Sequence, residues 1–190
     1  FEYVARHVGI ETETLITDGS QPVGRGIGPV LEARDVMAVL RNEQDAPEDL
    51  RDRSLMLAGR ILDFDPAIAG GRGYQRAAEL LASGAALAAM ERLIAAQGQQ
   101  DQAFALGVHR HEVRAEQAGR VTAIDCEIIA RIARLAGAPM DKGAGIDLFH
   151  KVGATVRRGD ALYRIYANSK TGLRFACELA GEHPAHEIAA

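Results

Sequence analysis

The stretch Asp18–Pro29 is the part of the sequence whose residue types and spacing could do chemistry. It begins with residues that suit a sharp turn, continues with Gly24, Gly26 and Gly28, and ends with a proline that suits the first turn of a helix. Glycines allow a backbone to approach another group closely, and a helix N-terminus offers free N–H groups and the positive end of a dipole. A strand, a glycine loop and a helix in this order form a geometry that binds anions.

The spacing of these glycines is G-x-G-x-G. It differs from the dinucleotide fingerprint G-x-G-x-x-G and from the phosphate loop G-x-x-x-x-G-K-[ST], and no lysine follows it. The pattern alone therefore favours a tight structural connection between a strand and a helix. A nucleotide-binding loop at Gly24–Gly28 is the alternative, and it predicts that phosphate raises the thermal stability of the chain.

Histidines are the next candidates for chemistry. His109 and His111 lie two residues apart in a predicted strand, so their side chains point to the same face, as metal ligands would. No third ligand is near in the sequence, and an exposed pair is the favoured interpretation. His183 and His186, in a polar tail, are interpreted in the same way, and His150 is isolated.

Other reactive side chains show no catalytic arrangement. Arg157, Arg158 and Arg164 could hold an anion, although a solvated turn is the favoured interpretation. No Ser-His-Asp, Cys-His or H-E-x-x-H pattern stands out. Cys126 and Cys177 make neither a disulfide framework nor a metal-ligand spacing, so we expect small buried side chains in a reducing, cytoplasmic compartment.

Composition excludes several classes of partner. The 190 residues carry a net charge of −4, contain no tryptophan and are only 5% aromatic, which gives no footprint for nucleic acid. No run reaches the roughly 20 apolar residues that cross a bilayer, so no membrane is expected. The sequence starts with Phe1 rather than methionine and enters a helical pattern at once, so we expect a piece of a longer chain.

Periodicity predicts the secondary structure. Before a polar boundary at Gln97–Gln102 the pattern is mostly helical, and after it the pattern alternates as in strands. The first part is predicted to contain a short helix over 1–9, a strand at Thr12–Thr17, a helix from Pro29, and helices over 49–64, 74–81 and 85–97. The second is predicted to contain strands over 108–115 and 119–124, a helix over 126–136, two short strands within 153–166, a helix over 173–180 and an edge strand over 186–189.

The segment Gly153–Leu162 has the pattern G-x-x-V-x-x-G-D-x-L. It is similar to one half of a biotinyl or lipoyl carrier domain, although the lysine motif that such carriers present is missing. The segment therefore predicts a β-sandwich of that general shape rather than a carrier.

Two parts of the sequence together resemble the thymidine phosphorylases. The first is I-T-D-G-S-Q-P-V-G-R-G-I-G-P-V-L-E-A at Ile16–Ala33. The second comprises A-G-R-V-T-A-I-D at Ala118–Asp125, A-G-A-P at Ala136–Pro139 and A-G-I at Ala144–Ile146. The resemblance runs in the family's order over about residues 11–180, and is closest to the branch that also resembles archaeal AMP phosphorylases.

The resemblance implies an α+β fold with two domains. Residues 1–99 would be the helical remainder of the family's α/β domain, and residues 100–190 its carboxy-terminal α/β-hammerhead domain, which is shaped like a barrel-sandwich. It also implies a cytoplasmic pentosyltransferase, a homo-oligomer, in which inorganic phosphate attacks C1′ of a pyrimidine nucleoside. The family's phosphate-binding and base-holding residues lie upstream of these segments, so no catalytic residue is assigned and this chain alone is expected to be inactive.

The resemblance further implies a structural potassium ion. In bacterial pyrimidine nucleoside phosphorylases that resemble this segment, two backbone carbonyls of the glycine loop and one helix glutamate bind the ion. The matching positions here are Val23, Gly26 and Asp35. The alternative is that Asp35 is a solvated helix residue. For the whole chain, the alternative to an enzyme is a non-catalytic binding module with a biotinyl- or lipoyl-like β-sandwich.

Overall fold

A computed structural model describes residues 1–68, 70–98 and 104–189 of the chain. Helices and strands are mixed, which confirms the predicted α+β class. The helices are α1 (Glu2–His7), α2 (Pro29–Leu40), α3 (Glu48–Leu62), α4 (Gly73–Ala82), α5 (Ala85–Ala96), α6 (Cys126–Ala136) and α7 (Lys170–Glu182). The strands are β1 (Gly26–Ile27), β2 (His109–Arg114), β3 (Gly119–Ile124), β4 (Gly145–Leu148), β5 (Thr155–Val156), β6 (Ala161–Ala167) and β7 (His186–Ala189).

The helices α2 to α5 make up most of the first half. Helices α3 and α4 approach each other closely at Gly59 and Gly73, where a Cβ on Gly73 would lie 2.0 Å from the carbonyl oxygen of Gly59. The apolar faces of the four helices enclose a cavity of about 370 Å³. Glycine is needed at both positions because the two backbones touch there.

The strands form two antiparallel sheets. One has the order β1-β4-β6-β2 and the other the order β5-β3-β7. Strand β1 lies in the first half of the chain, yet Gly26 pairs with Asp147 and Ile27 with Ile146 of β4. The glycine loop is therefore part of the larger sheet.

The main hydrophobic core lies in the second half, between the sheets and α6 and α7. Helix α6 begins where the side chain of Asp125 accepts the N–H groups of Glu127 and Ile128, and it turns Ile129 and Ile132 inward. The core brings together residues that are distant in sequence, namely Val121, Ile124, Ile146, Leu148, Val156, Leu162, Tyr163, Ile165, Ala176 and Leu179.

Two sequence predictions about strands are wrong. Thr12–Thr17 forms no strand; its residues are mostly exposed, and no strand in the described ranges lies beside it to accept or donate ladder hydrogen bonds. The two strands within 153–166 exist, but they join different sheets instead of forming a hairpin. The other predicted elements are found within a few residues of their expected ends.

The predicted domain boundary falls largely on residues 99–103, which lie outside the described residues, so the division into 1–99 and 100–190 stays a prediction. Among the helices that the structure describes, none combines the length and the apolar character that a bilayer crossing requires.

Candidate functional site: the glycine-loop corner

The glycine loop is a close-packed corner between β1 and α2. A Cβ on Gly26 would lie 2.5 Å from the backbone of Leu31, and one on Gly28 would lie 2.4 Å from the carbonyl oxygen of Ala144. Gly28 also has φ +124°, a conformation that only glycine adopts easily. The spacing of the glycines therefore follows from packing.

The side chain of Asp35, on α2, accepts hydrogen bonds from the backbone of the glycine loop. Its side chain is only 2% exposed. One carboxylate oxygen, Oδ2, accepts the N–H groups of Arg25 at 2.6 Å and Gly26 at 2.7 Å. The other, Oδ1, accepts Nε and Nη2 of Arg34 at 3.0 and 2.8 Å. A buried carboxylate needs such donors, because an unpaired charge in the interior is costly.

Arg34 extends this network to the second half of the chain. Its guanidinium donates two hydrogen bonds of 2.8 Å to the two oxygens of Asp147 on β4. The bond to Asp147 is the largest influence on Arg34 and raises its pKa above the ordinary value, although burial acts in the opposite direction. This paired, planar geometry fixes the distance between α2 and β4.

Lys151 joins the start of the glycine loop to the start of α3. Its ammonium donates to the carbonyl oxygens of Pro22 at 2.5 Å and Gly24 at 2.9 Å, and it pairs with the carboxylate of Asp49 at the start of α3. Asp49 also accepts the N–H of Gly24 at 3.1 Å. Burial acts to raise the pKa of Asp49, but the hydrogen bond and charge of Lys151, together with the N–H groups of Gly24 and Leu50, lower the pKa below its ordinary value.

The N–H groups of the loop are already used within the chain. Those of Gly24, Arg25 and Gly26 go to aspartates, and that of Gly28 goes to Glu32 at 2.9 Å. The N–H of Val30 donates to the carbonyl of Lys142 at 3.2 Å. A phosphate group would have to displace carboxylates to bind here, so this arrangement favours a structural connection over a nucleotide-binding loop.

The three residues of the predicted potassium site lie around one cavity of about 330 Å³, which Glu32 and Leu50 also line. The carboxylate of Asp35 does not fit a cation, because four N–H donors already occupy its two oxygens. No group of three or more His, Cys, Asp or Glu in the described ranges could hold a metal ion. The alternative expectation, a solvated Asp35, is wrong because the side chain is buried.

The remaining candidates do not join the corner. His109 and His111 sit on β2, while His186 is buried on β7 rather than exposed in a polar tail, because it packs on the ring of Tyr163. Arg164 is paired with Glu112 on the neighbouring strand.

The expectation of small buried cysteine side chains is too strong, since Cys126 and Cys177 are free thiols of intermediate exposure. Arg157 and Arg158 are exposed beside the turn before β6, as the solvated-turn interpretation expects.

Sequence reasoning missed the charged residues that fix the corner. Arg34, Asp49 and the pair Asp147 and Lys151 come from three separate segments, so no local spacing connects all four. The only available signal was an Arg-Asp pair one turn into the helix that follows the glycines. Their roles depend on which segments the fold brings together.

Comparisons of the sequence with known proteins identify a family model and a set of relatives that match this chain. Residues 120–182 match the family model described as "Pyrimidine nucleoside phosphorylase C-terminal domain". A relative from Methylococcus capsulatus, named "Putative thymidine phosphorylase", is 55% identical over 188 residues, which are 99% of this chain and 36% of the relative. A relative of the same name from Rhodopseudomonas palustris strain BisB18 is 58% identical, over 88% of this chain and 33% of the relative. Another, from Nitrobacter hamburgensis, is 54% identical, over 90% of this chain and 34% of the relative.

The chain spans about a third of the length of the curated relatives it matches. The match to the Methylococcus capsulatus relative covers almost all of this chain, and residues 120–182 match the family's C-terminal domain model. The chain therefore belongs to the thymidine and pyrimidine nucleoside phosphorylase family.

Proposed function

We propose that the protein, in its full length, catalyses phosphorolysis of a pyrimidine nucleoside. Inorganic phosphate attacks C1′ of the sugar, the bond between C1′ and the base nitrogen breaks, and the products are the free base and a (deoxy)ribose 1-phosphate. The observation that carries the proposal is the 55% identity to a thymidine phosphorylase relative over 99% of this chain. The proposal includes a cytoplasmic homo-oligomer.

The role of this chain in the reaction is to frame the active site. The corner Asp18–Pro29 joins the larger sheet, α2 and α3 through buried or partly buried charges. Such a rigid support keeps a neighbouring pocket at the geometry that phosphate and a nucleoside require. None of the corner residues is assigned a catalytic step, because their polar groups are engaged with one another.

The experiment compares the full-length protein with the 190-residue chain. Each is incubated with thymidine, uridine or AMP and inorganic phosphate, and the released base and the sugar phosphate are measured. We expect turnover of a pyrimidine nucleoside by the full-length protein only, and none when phosphate is omitted. Turnover of thymidine by the 190-residue chain, or no nucleoside turnover by the full-length protein, contradicts the proposal.

A corner variant tests the framing role separately. Lys151→Met removes the ammonium that binds the carbonyls of Pro22 and Gly24. In the full-length protein we expect a loss of kcat/KM of about tenfold or more, since small displacements of supporting groups are costly in catalysis. Lys170→Met, at the exposed start of α7, is the control and should leave kcat/KM unchanged.

A further inference from the structure

The peptide bond between Asp18 and Gly19 lies at the exposed start of the glycine-loop corner. Both residues are exposed, as is Ser20 after them, and Asp18 and Gly19 belong to no helix or strand. This is also the single place in the sequence where an aspartate is followed by a glycine. The proposed phosphorolysis gives neither residue a role.

An aspartate followed by a glycine can rearrange without an enzyme. The backbone nitrogen of the glycine attacks the carboxyl carbon of the aspartate, and a C–N bond forms. One carboxyl oxygen leaves as water, which carries away the amide proton and the carboxyl proton. The product is a five-membered cyclic imide. Glycine favours this step because it has no Cβ to hinder the approach of the two atoms.

The attacking group of such a reaction, the N–H of Gly19, is free. It makes no hydrogen bond within the described residues. Apart from the chain neighbours, no atom lies within 4 Å of the place where a Cβ of Gly19 would stand. The backbone at Gly19 therefore has room to turn toward the carboxyl group, and its nitrogen has no bond to give up.

The carboxyl group of Asp18 is held near this nitrogen. Its Oδ1 accepts the N–H of Ser20 at 2.9 Å, a bond that folds the side chain back along the peptide unit of Gly19. The same N–H stabilises the negative charge that develops on Oδ1 during the attack. It is also the largest influence on the pKa of Asp18, which it lowers. An ionised carboxyl group reacts slowly, so the imide forms gradually.

Arg53 of α3 contacts the other carbonyl of the ring. Its Nη2 donates to the backbone carbonyl of Asp18 at 2.5 Å, and its Nη1 donates to Oγ1 of Thr17 at 3.4 Å. Water that attacks this carbonyl breaks its bond to the nitrogen of Gly19 and leaves a carboxylate beside the guanidinium, which stabilises it. The main chain then runs through the former side-chain carbonyl, and the residue is isoaspartate. Attack on the former side-chain carbonyl restores aspartate.

We propose that Asp18 is a site of spontaneous isomerisation to isoaspartate, and that Arg53 directs the opening of the imide toward that product. Water is the only co-reactant, since one molecule is lost when the ring closes and one is consumed when it opens. The product has one extra methylene group in the main chain. Because Gln21, three residues later, accepts the N–H of Val152, this longer chain alters the entry into the corner.

Ageing of the 190-residue chain in water labelled with heavy oxygen tests the site. The tryptic peptide of residues 7–25 contains Asp18 as its sole aspartate and contains no asparagine. After several weeks at neutral pH and digestion in ordinary water, this peptide should carry heavy oxygen from the opened imide. Isoaspartyl methyltransferase should also transfer a methyl group from S-adenosylmethionine to it.

Two controls separate this chemistry from general ageing. Asp65 is also exposed, but it precedes Pro66, whose nitrogen carries no proton, so the tryptic peptide of residues 61–72 should gain far less label. Gly19→Ala places a Cβ in open space at a φ that alanine adopts without strain. This variant should fold normally and should label residues 7–25 at least severalfold more slowly, because the Cβ hinders the attack.

Arg53→Gln and Arg60→Gln form a matched pair on α3. Arg60 pairs with Glu13 of the same exposed segment, at 3.5 Å, and makes no hydrogen bond to Asp18. Arg53→Gln should lower the share of isoaspartate among the labelled peptides, and Arg60→Gln should leave it unchanged. This share counts only imides that have opened, so a loosened segment that merely closes the ring faster or slower does not alter it.

Three outcomes overturn the proposal. One is a folded chain that gains no label in residues 7–25 while a synthetic peptide of the same residues does, which would show that the fold blocks the reaction. Another is labelling of Gly19→Ala at the rate of the wild type. An unchanged share of isoaspartate in Arg53→Gln overturns the role of Arg53. None of these measurements involves nucleoside turnover, so this proposal and the proposed phosphorolysis fail independently.

Discussion

Asp35 is the residue on which the glycine-loop corner depends most. We predict that Asp35→Asn destabilises the chain by roughly 2–4 kcal/mol, because an amide accepts fewer hydrogen bonds and leaves Arg34 without part of its counter-charge. Urea denaturation followed by circular dichroism measures the change in free energy of unfolding. Asp45→Asn, on an exposed turn, is the control and should change it by less than about 0.5 kcal/mol. Equal effects of the two substitutions would refute the role of Asp35.

The four hydrogen bonds that Asp35 accepts lead us to predict that its carboxylate binds no potassium ion. Since its oxygens are taken by N–H donors, replacing sodium chloride by potassium chloride at equal ionic strength should leave the melting temperature of the chain unchanged. Elemental analysis of the dialysed protein should find no stoichiometric potassium. A rise in melting temperature specific to potassium would restore the ion at Val23, Gly26 and Asp35.

His186 predicts a dependence of stability on pH. Burial lowers its pKa below the ordinary value of 6.5, so the unfolded chain binds a proton more readily than the folded chain. The contribution of His186 to stability is therefore complete above about pH 6.5 and is lost as the pH falls through that value toward the lower folded pKa. His150 bears on it through its charge and its backbone carbonyl, and the ring of Tyr163 packs on the imidazole.

The measurement is the melting temperature from about pH 7.5 down to about pH 5, compared with His186→Gln. Glutamine keeps a donor for the carbonyl of His150 and does not titrate. We expect the wild type to lose more stability than the variant over this range. Parallel pH profiles of the two proteins would show that His186 does not titrate on unfolding.

At the scale of elements, close contact between α3 and α4 is the feature that the sequence pattern alone did not show. A Cβ at Gly59 would lie 2.7 Å from the backbone of Tyr74, whereas a Cβ at Gly181 of α7 would meet nothing within 4 Å. Gly59→Ala should therefore destabilise by roughly 1–3 kcal/mol through overpacking, and Gly181→Ala should stabilise by up to about 1 kcal/mol because alanine favours helix.

The urea denaturation midpoints of Gly59→Ala and Gly181→Ala test whether α3 and α4 are in backbone contact. If Gly59→Ala is as stable as Gly181→Ala, the helices α3 and α4 are not in backbone contact.

At the scale of the whole molecule, β1 ties the helical half to the larger sheet. Gly28 lies where a Cβ would meet Ala144 at 2.4 Å, and Gly159 has a comparable positive φ with open space around it. Both alanine variants carry backbone strain, but only Gly28→Ala also forces β1 away from β4. We expect Gly28→Ala to lose roughly 1–3 kcal/mol more than Gly159→Ala.

The cooperativity of unfolding is a second test of the connection that β1 makes between the helical half and the larger sheet. Pulsed hydrogen exchange along a urea titration follows the amides of α2 to α5 and those of β6 separately. The two signals should share one midpoint in the wild type and separate in Gly28→Ala. Separate midpoints in the wild type would show that the halves unfold independently.

The sequence by itself determined the helices, most strands and the family. Helical periodicity located α2 to α7 because each buries one apolar face, and the alternating pattern located β2 and β3. The run of turn residues and glycines in Asp18–Pro29 identified the corner, because backbone contact leaves little choice of residue there. The burial of Asp35 could not be predicted from the sequence, because two of its donors are backbone N–H groups ten and nine residues away, and no local pattern shows that they meet.

Only the tertiary structure decided which elements meet. Thr12–Thr17 has strand composition, yet a strand exists only when a partner satisfies its backbone groups. The strands β5 and β6 lie in different sheets because each pairs with the strand that satisfies its backbone groups. The contacts of Lys151 with Pro22 and Asp49, and of His186 with His150 and Tyr163, join residues distant in sequence, and hydrogen bonds of that kind are fixed by the packing of the chain rather than by any local pattern.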